Sequence, residues 1–172
     1  MFSLLLASSL LGSTLIELNG RSESSSSLSL VPGAGSTTLT NLGYREKTQT
    51  VTELSIQSNA SAGFTITMGS LNHGTLVLRN APDPPLNSQF ISYQVALSLG
   101  SILPINLRAP AGLSNYVSLN TDKTYTFAPD PGQISGGTSG FRLNLLVSVP
   151  EKDNLISGIY SDTIEISISN NE

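Results

Sequence analysis

Apolar and polar residues alternate with a period of two in several stretches of this chain, which is typical of β-strands with one buried face. The clearest stretch lies near the end, where Ile164, Ile166 and Ile168 alternate with polar residues. The same alternation runs over residues 143–149, and Pro150 ends it because proline has no N–H to give to a sheet. Both stretches therefore predict half-buried strands.

Shorter stretches of this kind are separated by turn-forming residues. Residues 91–97 predict another strand, and residues 51–56 predict a strand that leads into a β-hairpin over residues 63–79. Two polar loops rich in proline and glycine follow, at residues 80–88 and 128–140. Because no stretch has the period of a helix, the pattern predicts an all-β protein, either an antiparallel sandwich or a barrel.

The composition supports the all-β prediction and limits the chemistry. The 172 residues include 28 Ser and 15 Thr but only 8 Lys and Arg, a poor composition for helices. The basic residues are scattered and the net charge is −4, so nucleic acid is not an expected partner. The absence of cysteine excludes disulfides and thiolate metal sites, and a single histidine excludes sites that need two. No cofactor, metal site or catalytic residue is predicted.

The residues that resemble catalytic groups have simpler interpretations. His73 falls at the tip of the predicted hairpin without a nucleophile motif nearby, which favours an ordinary turn residue over a hydrolase triad. Asp83 and Asp130 lie in Pro-Asp-Pro sequences, and Asp153 lies in a polar turn. A glycosidase needs two rigidly held carboxylates, usually with aromatic platforms, and this chain has no tryptophan. We therefore expect a protein that is not an enzyme.

The amino terminus has the character of a secretion signal. Residues 2–16 form an apolar run of the length of a signal-peptide core, too short and too rich in serine for a stable membrane span. The alternative is a buried first strand. The domain prediction is a signal peptide, or the remnant of one, over residues 1–13, followed by a single β-sandwich domain over residues 14–172.

Amphipathic extended segments lie at both ends of this domain. Ile16 and Leu18 precede a serine-rich break at residues 22–27, and Leu28 and Leu30 follow it. At the other end stand the three isoleucines near the carboxyl terminus. These segments are either the first and last strands of a closed sandwich or strands that pair with a neighbouring molecule at an open sheet edge.

Three stretches carry a family resemblance. They are VTELSIQSNASAGFTITMGSLNHGTL at residues 51–76, ISYQV at residues 91–95 and GIYSDTIEISI at residues 158–168. In this order they resemble the spore coat protein U domain and related chaperone–usher pilin subunits, from about residue 14 to the end. Many such subunits carry a disulfide, which this chain lacks.

The resemblance implies an immunoglobulin-like antiparallel β-sandwich that is exported to the periplasm, cell surface or extracellular space. It also implies a pilus-like structural or adhesive subunit that pairs strands with other copies of itself or related subunits, with a periplasmic chaperone as a further partner. The donor strand would be Ile16 and Leu18, extended through Leu28 and Leu30. The groove-lining closing strand would be Ile164, Ile166 and Ile168.

An alternative from a different class remains open. A secreted, monomeric module that binds carbohydrate or protein would use the two polar loops at residues 80–88 and 128–140. In that case the amphipathic ends would be ordinary strands of a closed sandwich.

Overall fold

The computed structural model describes residues 5–8, 14–17, 24–31, 39–133 and 139–171. Throughout these ranges the regular elements are strands, apart from one short 3-10 helix at Asn87–Gln89. The first eight strands are β1 (Leu5–Ser8), β2 (Thr14–Glu17), β3 (Ser26–Leu30), β4 (Lys47–Ser58), β5 (Phe64–Ser70), β6 (Thr75–Leu78), β7 (Phe90–Ser92) and β8 (Gln94–Leu99). The others are β9 (Leu107–Arg108), β10 (Val117–Ser118), β11 (Lys123–Pro129), β12 (Ser139–Val149), β13 (Tyr160–Ser161) and β14 (Ile164–Asn170).

These strands form antiparallel sheets that pack together as a sandwich. One sheet has five strands in the order β10-β8-β12-β4-β3, and another has four in the order β14-β5-β11-β9. A three-stranded sheet, β13-β6-β7, continues from the beginning of β14 and the end of β5. The pair β1 and β2 forms a separate two-stranded sheet. The prediction of an all-β antiparallel sandwich is confirmed, while its immunoglobulin-like subtype stays a prediction.

The core forms where the inward faces of the two main sheets meet. Alternation places Leu54 and Ile56 of β4 in the core opposite Phe64, Ile66 and Met68 of β5, and all five are at most 1 % exposed. Three phenylalanines lie together at one end of this core, with ring centroids 5.0 to 6.0 Å apart: Phe64, Phe127 and Phe141. The burial of these side chains is the main stabilising contribution to the sandwich.

Gly63 shows why the turn before β5 has its sequence. Its φ is +85°, which disfavours other residues, and a side chain there would collide with the backbone carbonyl of Phe127. The carbonyl of Gly63 accepts a hydrogen bond from the backbone N–H of Asn171 at 3.0 Å, just beyond the end of β14. The turn therefore brings β5 close to both β11 and the carboxyl-terminal strand.

Three strand predictions are confirmed and two need correction. The stretches at residues 51–56, 143–149 and 164–168 lie in β4, β12 and β14. The predicted hairpin over residues 63–79 is wrong, because β5 pairs with β11 and β14 while β6 pairs with β7 and β13.

The strand predicted over residues 91–97 is also not continuous. It divides at Tyr93 into β7 and β8, which belong to different sheets. The inward alternation continues across this break through Ile91, Tyr93 and Val95, so the sequence pattern does not reveal the change of sheet.

Candidate functional site

The edge formed by β14 is the candidate functional site. β14 pairs antiparallel with β5 on one side, and none of the other strands within the described ranges pairs with it on the opposite side. Seven residues, Ile164–Asn170, thus present an unpaired backbone edge. A free edge of this length can accept a further strand.

The hydrogen bonds at the two ends of this pairing determine which backbone groups are free. Leu71 donates its N–H to the carbonyl of Thr163, and Asn171 donates to the carbonyl of Gly63, each at 3.0 Å. In an antiparallel pair alternate residues form these bonds, so the odd-numbered residues of β14 bond to β5. The N–H and C=O groups of the even-numbered residues, including Ile166, therefore point to the open edge.

The same even-numbered residues direct their side chains to the core. Ile164, Ile166 and Ile168 are half-buried and pack against the buried core residues, whereas Glu165 and Ser167 are exposed on the outer face. The three isoleucines combine free backbone groups with apolar side chains turned inward. An added strand with alternating apolar residues would match both features.

The facing edge of the other sheet belongs to β3. Leu28 and Leu30 pair with Ile56 and Leu54, so their side chains share the inner face of that sheet. Leu28 packs on the core, yet Leu30 is 50 % exposed although its strand face is the inner one. The interior is thus incompletely covered on this side of the sandwich.

At one end the two edges approach each other. The side-chain amide Nδ2 of Asn170, at the end of β14, donates to the backbone carbonyl of Ser24, just before β3, at 3.0 Å. The edges β3 and β14 together are called the open side below.

Asp162 fixes the beginning of β14. Its Oδ2 accepts hydrogen bonds from the hydroxyls of Ser70 and Tyr93, both at 2.6 Å. Its Oδ1 accepts the backbone N–H groups of Asn72 at 3.0 Å and Thr163 at 2.7 Å. One carboxylate therefore ties the closing strand to the turn after β5 and to the buried Tyr93 between β7 and β8.

Burial and, after it, the hydrogen bond to Asp162 raise the pKa of Tyr93 above its ordinary value. The phenol is therefore neutral and donates to the carboxylate throughout the physiological range. Asp162 and Tyr93 lie in the stretches that carry the family resemblance, but the sequence analysis did not predict either as a site residue. The signal was present as an aspartate directly before the isoleucine alternation, but its partners are up to 92 residues away in the chain.

A cleft of about 630 Å³ adjoins the beginning of β14. It lies between residues 39–42, β6 and residues 155–162, and Asp162 belongs to its wall. Its apolar wall residues are Leu39, Leu42, Leu76, Leu155, Ile156 and Ile159. Asp162 therefore lies both in the wall of the cleft and just before β14, which forms part of the open side.

The predicted donor residues have different positions in the structure. Ile16 belongs to β2, where its backbone is aligned with that of Leu6 in β1, and Leu18 lies outside the described residues. Leu28 and Leu30 are already paired with β4 of the same chain. A donor role for these two leucines would require them to leave that sheet, so Ile16 and Leu18 remain the simpler candidates.

The described parts of the two polar loops lie at opposite ends of β12. Residues 80–88 connect β6 to β7, close to the start of β8, where Gln94 pairs with Ser148 near the end of β12. Of the second loop, residues 128–140, the structure describes residues 128–133 and 139–140, and Ser139 begins β12 at the opposite end from Ser148, roughly 30 Å away at the rise of an extended strand.

The loop at residues 80–88 is held by Lys152. The ammonium group donates to the carbonyl of Phe90 at 2.5 Å and to Oδ1 of Asn87 at 3.2 Å, and it lies 4.0 Å from the centroid of the Phe90 ring. Desolvation lowers the pKa of Lys152. This lysine anchors the loop to the segment that follows β12.

The residues considered for catalysis are dispersed. His73 is exposed in the turn after β5, and Asp83 and Asp153 are exposed in different loops. Asp130 forms an ion pair with Arg108 at 3.1 Å, and both side chains are more than half exposed. Within the described ranges there is no cluster of three or more histidine or acidic residues that could hold a metal ion. The described segments also contain no helix long and apolar enough to cross a membrane.

Comparisons of this chain with family models, with curated proteins and with solved structures found no match.

Proposed function

We propose that this protein is an exported structural or adhesive subunit of a pilus-like surface assembly, whose copies associate by adding a strand of one subunit to the open side of the next. The observation that carries the proposal is the edge of β14 with which no other strand of the described ranges pairs. There, three half-buried isoleucines have free backbone groups. Backbone hydrogen bonds would give such an interface its affinity, and the alternating side chains its register.

The donor strand of this proposal is the segment around Ile16 and Leu18. These residues are two apart and would place apolar side chains on one face of an extended strand. In the structure, β2 belongs to a two-stranded sheet with β1. A two-stranded hairpin is marginally stable by itself, so exchanging this pairing for the edge of a larger sheet costs little.

The first test is an immunoblot of unheated and boiled surface extract. Subunits joined by added strands are kinetically trapped, so we expect a ladder in cold detergent that collapses to one band on boiling. A single band in both lanes would contradict assembly. It would favour the monomeric carbohydrate- or protein-binding module instead.

Two complementary variants identify the strands. A donor variant carries Ile16→Ser and Leu18→Ser, and a groove variant carries Ile164→Ser and Ile168→Ser. We expect each variant alone to form no ladder and their mixture to form only dimers, because a mixed pair has one intact donor and one intact groove. Leu71→Ser, at an exposed leucine in the turn after β5, is the matched control and should keep the full ladder. A full ladder from either double variant would overturn the assignment of the strands.

A further inference from the structure

Both strands of the open side lack the features that normally protect a sheet edge. Exposed edges usually carry lysine, proline or a bulge that prevents pairing with another chain. β14 pairs with β5 without a register shift, contains neither lysine nor proline, and has Glu165 as its one charged residue. β3 contains only serine and leucine. Such edges pair readily when two copies meet.

We propose that, when no donor strand is bound, two copies of this chain pair their β14 strands antiparallel about a two-fold axis at Ile166. The inference rests on the proposed function, because the dimer would occupy the same edge of β14 that the donor strand occupies during assembly. The dimer itself does not require the amino-terminal strand. A dimer of this kind would keep the edge closed until a donor strand replaces the second copy.

The register follows from the side chains of β14, because the free backbone groups allow several. A two-fold axis at any residue of β14 places even-numbered residues opposite even-numbered ones, so it brings their outward N–H and C=O groups together. An axis at Glu165 would place that charge opposite its own copy, and an axis at Ser167 would place Ile164 opposite Asn170. An axis at Ile166 places Ile166 opposite its own copy and Ile164 opposite Ile168, which aligns all three isoleucines with isoleucine. An axis at Ile164 or Ile168 would shorten the overlap and place Ile166 opposite Asp162 or Asn170.

The outer face accepts the same register. Glu165 is then opposite Ser167 of the second copy, and Thr163 is opposite Ser169. No two like charges stand directly opposite each other, the arrangement that destabilises a cross-strand pair. The pairing is therefore compatible with the side chains on both faces of β14.

The second sheet shares this axis. Asn170 at the end of β14 contacts Ser24 just before β3, so β14 runs toward this contact and β3 runs away from it. Four residues from the contact along each strand, Ile166 and Leu28 therefore lie at the same distance from it. The backbone bonds of Ser25 to Asn59 and of Val31 to Glu53 show that the odd-numbered residues of β3 bond to β4.

Leu28 therefore has outward backbone groups, as Ile166 does. One two-fold axis can pair β3 with β3 and β14 with β14, an isologous contact in which both sheets continue across the dimer. Leu30, 50 % exposed in the single chain, would be covered in this interface.

The experiment uses the full chain carrying Ile16→Ser and Leu18→Ser, so that donor-strand pairing does not contribute. The chain has no cysteine, so an introduced pair reports only the intended contact. Glu165→Cys is mixed with Ser167→Cys under mild oxidation, and Thr163→Cys with Ser169→Cys as a second pair in the same register. The control mixture, Thr163→Cys with Ser167→Cys, is out of register by two residues.

We expect disulfide-linked dimers from both in-register mixtures, at least about tenfold more than from the control, because cross-strand neighbours meet the distance that a disulfide needs. Equal cross-linking in all three mixtures would overturn the register. Monomers alone in sedimentation of the uncrosslinked protein would overturn the dimer.

The proposed function and this inference fail separately. Loss of the ladder in the donor variant supports the former, and an in-register cross-link in the same variant supports the latter. A ladder without the cross-link would leave strand donation standing and remove the resting dimer.

Discussion

The edge strands on the two lateral sides of the sandwich differ in length and in their side chains. On the open side, the sheets end in β3 and β14, of five and seven residues, whose inner faces carry leucine and isoleucine. On the opposite side, they end in β10 and β9, each of only two residues. Arg108 of β9 forms an exposed ion pair with Asp130.

The difference shows that edge protection is local in this protein. On the short side the chain between β8 and β11 runs past the edges and contributes two short strands and two prolines, Pro104 and Pro110. No described strand covers the long side. A sandwich with long, unprotected edges on one side and short, protected edges on the opposite side is the arrangement expected for a protein that pairs with another chain through the long side.

Proline substitution should show the largest effect on the open side. Ser167→Pro removes an N–H that bonds to β5, and we expect it to lower the free energy of unfolding by about 3 kcal/mol or more. Ile168→Pro removes an N–H that points to the open edge, so the loss should be about 1–2 kcal/mol, mainly from reduced burial, while assembly is lost. Urea unfolding and the immunoblot ladder measure the two effects. Equal destabilisation by both substitutions would contradict the assignment of the free backbone groups.

Substitution of the carboxylates compares the anchoring of the two sides. Asp162→Ala removes the acceptor of four hydrogen bonds and leaves the Tyr93 hydroxyl without this partner, so we expect a loss of about 3 kcal/mol. Asp130→Ala breaks only an exposed ion pair and should cost no more than about 0.5 kcal/mol. Thermal unfolding of both variants checks this difference. Similar midpoints would show that Asp162 does not anchor β14.

Two buried tyrosines give the smallest expected difference. Tyr93 donates to Asp162, whereas the hydroxyl of Tyr125 on β11 is buried without a hydrogen-bond partner among the described residues. Tyr93→Phe should therefore cost about 1–2 kcal/mol, and Tyr125→Phe should be neutral or slightly stabilising. Urea unfolding at neutral pH measures both, and a larger loss for Tyr125→Phe would contradict the hydrogen-bond assignment.

The same pair predicts a dependence on pH. Because burial raises the pKa of Tyr93 in the folded state, the unfolded chain loses this proton first as the pH rises through the ordinary value of 10. The stability that Tyr93 contributes is complete below that pH and declines above it. The decline should be smaller in Tyr93→Phe than in the unsubstituted protein, and an unchanged alkaline decline would contradict the assignment to Tyr93.

Local alternation was sufficient to predict the strands but not their partners. The isoleucines of β14 and the leucines of β12 were predictable because a period of two reports only which face of a strand is buried. The sequence at residues 91–97 continues its alternation while the chain passes between sheets, which is why the single strand was wrong. The hairpin at residues 63–79 was wrong because turn-forming residues between two apolar stretches do not show whether those stretches pair with each other. Pairing depends on residues far apart in sequence, such as Ile166 and Met68.

The sequence by itself determined that this is an all-β protein with one apolar face on each strand, because that information is contained in neighbouring residues. Only the tertiary structure decided that β14 has an edge with which no other described strand pairs, that its isoleucines have the outward backbone groups, and that Asp162 holds its beginning. Each of these depends on which strand lies beside another, and hydrogen bonding between distant segments, not local propensity, determines that arrangement.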